Sequence, residues 1–511
     1  RVKGARAVIE KALRKEHPKK LYGITTGFGA FQNVYLAGPT ERRELQENLL
    51  RSHAVGMGEP FAPEIVRAAL LIRIYGLCLG YSGVRVSLAE KLCELFNSGL
   101  VPHVPQIGSL GASGDLAQLS HLFLPLLGEG KFLKPDGKPR KMTAAEKKRF
   151  GYELAEKEGL ALNNGTAFMV ACLCFALDLA LRLCEKANVI SALSLEAIEG
   201  TTSHLDPRLY QVRSHPGAAE SAQRIREALE GSFILDKSHV RSVPRVQEAY
   251  SLRCAPTVHG ASLEQLRFAS EILSRELNAA TDNPLIFPPD ASLNRAWFRE
   301  EVVSGGNFHG EPLAQAADAA KRAMAALGSI SERRTAALLD PNWNYGLPAF
   351  LVHPKAKPGL HSGLMIVQYT QAALVAENKL LCQPASPDSI PSSANQEDEV
   401  SMGLLAARWA LQMAQNLSRI LACELLCSVQ GLLIRRGYVK ETRAAEEIGR
   451  HAVMRPDAMS FAFVTRQGEF KLGKGTAEML ERAQSIAHLP ITKDTPLAEI
   501  VETLAESLAK E

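Results

Sequence analysis

Gly111-Ala112-Ser113-Gly114-Asp115-Leu116 carries the most chemically suggestive spacing in this 511-residue chain. Glycine has no Cβ, so a backbone flanked by glycines bends sharply and comes close to itself. Held that tightly, the Gly114 nitrogen could attack the Ala112 carbonyl. Loss of two waters, one of them from Ser113, would then leave a 4-methylidene-imidazol-5-one ring (MIO). Such a ring is an electrophile, which none of the twenty side chains supplies. The competing reading is structural: a glycine-rich turn capping the helical run from Leu116 to Leu127. Ser113 with His121 as its base is a third possibility, although the strand-turn-helix Gly-x-Ser-x-Gly setting of a nucleophilic serine is missing.

Four other loops carry functional groups between helical runs: Tyr22–Gly29, Asn163–Thr166, Val246–Cys254 and Ser304–Gly310. Loops held on a rigid scaffold are where reactive groups concentrate. The scaffold itself reads as helical. Apolar periodicity predicts helices over Ala5–Lys15, Thr40–Ala54, Ala62–Leu79, Ser87–Ser98, Leu116–Leu127, Thr166–Leu193 and Ser221–Glu230. It continues over Leu263–Thr281, Leu313–Leu338, Leu364–Leu381 and Ser401–Arg435. Leu404–Leu433 has few charges over roughly eight turns, so that helix must be buried on all sides, in a bundle or an oligomer interface. Strand-like patches are short: Lys131–Lys134, Leu285–Phe287 and Phe461–Thr465. The expected class is mainly α with long central helices and small β elements only.

Composition narrows the function classes. A net charge of +4 over this length does not suggest a nucleic-acid partner. The basic run Lys131–Arg149 contains Pro135-Asp136-Gly137 and reads as a solvated hairpin with a D-G turn. The apolar run Ala167–Leu183 is interrupted by Asp178 and is short for a bilayer span, so it reads as a core helix. Nine cysteines without short paired spacing point to a reducing compartment, hence to the cytoplasm. Cys172 and Cys174 fall in the apolar run and read as core. The opening residues do not read as a secretory signal, and a chain beginning at Arg1 is expected to lack a few native residues.

Taken together, seven blocks resemble the MIO-dependent aromatic amino acid ammonia-lyase family, most of all its histidine ammonia-lyase branch. They are Tyr22–Gly29, Gly111–Leu116, Glu158–Leu162, Tyr250–Cys254, Ala280–Leu285, Ser304–His309 and Ser393–Asp398, in family order and within about Tyr22 to Gly403. The resemblance implies a long central helix bundle of the ammonia-lyase/fumarase-like type. It implies an N-terminal region (1–200) with the triplet and a lid loop, followed by the bundle and a C-terminal helical region (201–511). It also implies a homotetramer with shared active sites, no membrane association, and an MIO formed from Ala112-Ser113-Gly114 with no metal or diffusible cofactor.

The same resemblance assigns roles. Tyr22 is the base that takes the β-proton, which requires its phenol to be activated well below the usual value of about 10. Arg253 grips the substrate carboxylate through paired charge-assisted hydrogen bonds. Asn164 supports the carboxylate and amine end. Gln247 and Tyr250 line the electrophile, Phe308 packs on it, and Asp115 assists cyclisation. His53 and Glu397 match the positions that receive an imidazole ring in histidine catabolism, giving trans-urocanate. Four positions depart from the branch: Asn163 on the ring-pocket side where an aliphatic residue is usual, Gln118 for proline, Thr257 for glutamine and Glu399 for histidine. The added polarity keeps a modified histidine open as the substrate, such as ergothioneine with release of trimethylamine. Another aromatic amino acid, or an aminomutase reaction, also remains open.

Overall fold

The computed structural model describes residues 1–14, 18–235, 246–288, 301–357, 359–442 and 470–510. Among these the α-helices are α1 (Val2–Leu13), α2 (Pro39–His53), α3 (Pro63–Cys78), α4 (Val86–Asn97), α5 (Leu116–Phe123), α6 (Ala144–Phe150), α7 (Glu158–Asn163) and α8 (Ala167–Ala197). They continue as α9 (Pro207–Val212), α10 (Pro216–Ala228), α11 (Tyr250–Arg253), α12 (Ala255–Leu277), α13 (Glu311–Leu339), α14 (Met365–Leu381), α15 (Gly403–Thr442), α16 (Lys474–Ile486) and α17 (Ala498–Lys510). The mainly α class expected from periodicity is the class observed.

β-structure is confined to antiparallel pairs. Met57–Pro60 (β1) pairs with Pro105–Ile107 (β2), Lys131–Leu133 (β3) with Pro139–Lys141 (β4), and Leu285–Ile286 (β5) with Val302–Val303 (β6). The basic run forms the expected hairpin, with Gly137 at φ +76° and the Asp136 carboxylate accepting the Lys138 N–H. It ends at Lys141. Thr143 and Glu146 then build a reciprocal capping box that starts α6, so the rest of the basic run is helical. The strand expected at Phe461–Thr465 lies outside the described residues.

Helix α15 is apolar around its circumference because most of its surface is covered. In α15, Leu417, Ile420, Leu421, Cys423, Leu426 and Cys427 are all buried. Two helices, Ala167–Ala197 and Gly403–Gly437, are long and apolar enough to cross a membrane; 67% and 89% of their most apolar windows are buried within the structure. Cys172 is fully buried, as its apolar context predicts.

The chain forms two compact units, each built from three segments. Unit 1 comprises Arg1–Phe175, Ala269–Asp318 and Pro384–Leu411. Unit 2 comprises Ala176–Phe268, Ala319–Gln383 and Gln412–Glu511. The single division at 200/201 drawn from the sequence does not coincide with them, because each unit draws on segments hundreds of residues apart.

Candidate active site

In unit 1 the triplet is a compressed loop with no room for side chains along its back. Gly111 and Gly114 sit at φ +72° and +75°, conformations that favour glycine. Gly114 forms a parallel bridge to Gly165, and a Cβ on either residue would collide with backbone. From the other side, Gly111 O accepts the Gly310 N–H at 3.3 Å and the Ser401 hydroxyl at 3.0 Å. Leu110 O accepts the Met402 N–H at 2.8 Å. Asn164 Nδ2 donates to Ser113 O at 3.1 Å. These contacts match what backbone cyclisation needs: a fixed, sharply bent triplet in which side-chain bulk would prevent close approach.

Asp115 fastens the loop to α8. Its carboxylate accepts the N–H groups of Phe168 (2.8 Å) and Met169 (3.0 Å), in the first turn of α8, and the Ser109 hydroxyl (3.2 Å). Complete burial raises its pKa to about 7, and those three donors pull the other way.

Glu397 reaches the triplet from a different part of unit 1. Ser113 Oγ donates to Glu397 Oε1 at 2.7 Å, and Ser392 Oγ donates to Oε2 at 3.1 Å. Ser392 and Glu397 also bridge through their backbones, closing a tight turn over Ser393, Ala394 and Asn395. Those three residues have φ of 52°, 54° and 63°. Non-glycine residues in that region cost of order 1–3 kcal/mol each, so the surrounding contacts must enforce the turn. Gln32 donates to Gln396 at 2.8 Å, tying this turn to the segment that follows Tyr22–Gly29.

Tyr22 is half-buried; its phenolic oxygen accepts the Gly29 N–H at 3.2 Å, and Phe28 stands edge-on to its ring at 6.1 Å. Burial raises its pKa, as does the charge of Glu397, and the Gly29 N–H opposes them. The expected downward activation is therefore not built by the groups around Tyr22 in unit 1. Burial lowers the pKa of His53, at the end of α2, and Glu397 acts on it in the opposite direction. His53 is thus a partly buried imidazole within electrostatic reach of a carboxylate.

Unit 1 therefore gathers Tyr22, His53, Ala112, Ser113, Gly114, Asn164 and Glu397. Phe308 is half-buried two residues before Gly310, whose N–H meets Gly111. Asn163 turns elsewhere: it is fully buried and donates to Ser120 Oγ on α5 at 3.2 Å. Gln118 is likewise internal, donating to Pro105 O at 3.3 Å, and the Glu399 side chain is exposed. His121 accepts the Gly56 N–H at 3.0 Å while Ser113 is engaged by Glu397, so the serine–histidine pair of a hydrolase is not formed.

The remaining candidates belong to unit 2. Gln247 is exposed, and Tyr250 is 71% exposed on the one-turn helix α11. The Arg253 guanidinium lies over the Tyr250 ring at 4.4 Å. Arg253 Nε donates to Glu248 O at 3.1 Å, and among the described residues its terminal nitrogens make no hydrogen bond. A cavity of about 710 Å³ opens beside them, lined by Tyr250, Cys254, Val258, Ile330, Ala337 and Trp343.

Sequence reading missed the groups that brace these loops. Arg73, buried in α3, donates to the carbonyls of Ala161 and Thr281 and so supports the Asn163–Gly165 loop. Lys157 and Asp282 form a fully buried pair at 2.8 Å. The available signal was a lone charge inside an apolar run, as at Arg73 in Leu70-Leu71-Ile72-Arg73-Ile74.

The sequence model of the aromatic amino acid lyase family matches residues 1–453. A histidine ammonia-lyase of Geobacillus thermodenitrificans is 48% identical over 84% of this chain and 82% of its own. The crystal structure of histidine ammonia-lyase from Trypanosoma cruzi superposes with a TM-score of 0.81 at 37% identity, covering 99% of this chain and 86% of that one. A tyrosine aminomutase from Streptomyces globisporus gives 0.83 at 33% identity, covering 99% and 90%.

Proposed function

The chain belongs to the aromatic amino acid lyase family, a carbon–nitrogen lyase family, and from that premise we propose that it eliminates ammonia from histidine to give trans-urocanate. The observation that carries the substrate choice is the position of Glu397: beside the triplet, within electrostatic reach of both His53 and Tyr22, and released toward a ligand once the Ser113 hydroxyl that donates to it is lost on cyclisation. A carboxylate and a neutral imidazole can satisfy the two ring nitrogens of an imidazole. A phenyl ring would leave both unpaired, at about 1–3 kcal/mol per group.

Ala112, Ser113 and Gly114 would form the MIO, with Asn164 and Asp115 holding its frame; the group supplies an electrophile that makes the amine leave more readily. Arg253 binds the carboxylate with the terminal nitrogens it leaves open, fixing Cα and Cβ. Tyr22 removes the β-proton. Burial and Glu397 raise its pKa, and the Gly29 N–H works against them. Gln247, Tyr250 and Phe308 wall the site.

We place these groups in a homotetramer with shared sites. The exposure of Tyr250 supports that assembly, as does an apolar stripe on α14 formed by Ile366, Tyr369, Ala373, Ala376 and Leu380, all exposed at helical spacing. The departures that kept a modified histidine open have less force, because Asn163 and Gln118 are buried and donate internally to Ser120 and to Pro105 O. Incubation with histidine should release ammonia and raise the ultraviolet absorbance of urocanate. No turnover of histidine alongside trimethylamine release from ergothioneine would replace the substrate and keep the chemistry. A cytoplasmic location is part of the same proposal.

A further inference from the structure

The turn carrying Tyr250 and Arg253 joins α12 through Cys254 alone, and a side chain from α13 meets its backbone. As a single turn, α11 leaves carbonyls without helical partners, and the Ser251 carbonyl is taken by Arg334 Nη1 at 3.2 Å. Arg334 is buried in α13, where Nε and Nη2 grip the two oxygens of Glu424 on α15 at 2.5 and 2.9 Å. Ser194 on α8 donates to Glu424 at 2.7 Å and lies 2.8 Å from Ser428.

Arg334 Nη1 also lies 3.4 Å from His259 Nε2. The other ring nitrogen, Nδ1, is 2.9 Å from Asn188 Oδ1, an oxygen that also accepts the Ser221 hydroxyl. Only one tautomer satisfies both contacts: Nδ1 carries the proton and donates to Asn188, and bare Nε2 accepts from Arg334. Complete burial and the neighbouring guanidinium both lower the His259 pKa, which agrees with a neutral ring.

Building on the reading of Arg253 as carboxylate anchor, we infer that Arg334, clamped by Glu424 and His259, is a positioning residue that sets the register of α11 and thereby aims Arg253. A guanidinium fork suits this role because it engages a carboxylate and a carbonyl at once. A lysine ammonium can reach one partner or the other but lacks the planar fork.

The test uses the full-length protein and two probes: imidazolepropionate, which has a carboxylate, and histamine, which has none. Arg334→Lys should weaken imidazolepropionate about tenfold while histamine stays within about twofold, with KM for histidine rising more than kcat falls. Arg253→Ala should show the same selective loss, only larger. Should Arg334→Lys fail to fold, the double change Arg334→Met with Glu424→Leu removes both charges, leaves neither buried alone, and should give the same selectivity. Equal losses of both probes, or no loss of either, in a folded Arg334 variant beside a selective Arg253→Ala would overturn the inference and leave the anchor intact. An unselective Arg253→Ala would instead overturn the anchor itself.

Discussion

The triplet loop in unit 1 and the α11 segment in unit 2 carry groups of comparable chemical importance, yet they are built in opposite ways. Around Ala112-Ser113-Gly114 the loop is pinned from several sides: Gly111 O by two donors, Ser113 O by Asn164, Ser113 Oγ by Glu397 before cyclisation and Asp115 by three donors. Around Tyr250 and Arg253 the outer face is open, and the bonding that holds it comes from behind. A backbone that must react with itself needs neighbours that leave it no alternative geometry. A residue that must bind a passing carboxylate needs its donors unspent. The contrast separates residues that create reactivity from residues that receive the ligand.

Ser113→Ala should break the closed region most completely. Without the hydroxyl no methylidene can form, so the imidazolone absorbance should vanish and turnover fall by about 10³-fold or more; full turnover would remove the electrophile from the mechanism. Arg253→Ala tests the open region. Losing two charge-assisted bonds, roughly 1.5–3 kcal/mol each, should reduce kcat/KM by about 10²-fold or more. Glu397→Gln sharpens the contrast, since this residue serves the closed region and faces the ligand. Histidine turnover should fall about tenfold relative to phenylalanine, because a charge-assisted bond becomes a neutral one; equal losses on both substrates would confine Glu397 to the loop.

His121 gives a smaller effect, read in stability against pH. It accepts a backbone N–H, and burial lowers its pKa to about 4 from 6.5. Its contribution is therefore complete above pH 6.5 and is lost as pH falls toward 4. Melting temperatures measured across that window should fall less steeply for His121→Gln than for the parent. Asn163→Leu should change least: kcat/KM within about threefold and stability within about 1 kcal/mol, because its amide faces Ser120. A large rise in KM there would return Asn163 to the ring pocket.

Much of the frame was legible. Long apolar periods gave α8, α13 and the start of α15 to within a few residues, although α15 runs seven residues past the expected Arg435, and Asp136-Gly137 gave the β3–β4 hairpin. Helix α12 begins eight residues before the expected Leu263, because Pro256, Thr257 and Gly260 mask its first turns. The β1–β2 pair was missed because Met57-Gly58-Glu59-Pro60 and Pro105-Gln106-Ile107 contain turn-formers and almost no alternation. The interleaved units were not legible, since partners such as Ser113 and Glu397 are 284 residues apart. The direction of the Tyr22 pKa also escaped sequence reading, because burial and a nearby carboxylate are properties of the fold.

The close backbone seat of Gly114 on Gly165 has a consequence in time. The seat exists only after residues near 114 and 165 have met, and such non-local contacts slow folding. On the proposed reading, ring closure cannot precede that meeting, so the new chromophore dates the arrival of unit 1 at its native state. Each molecule would carry a permanent mark of having folded, and a chain trapped on the way would remain colourless and two waters heavier.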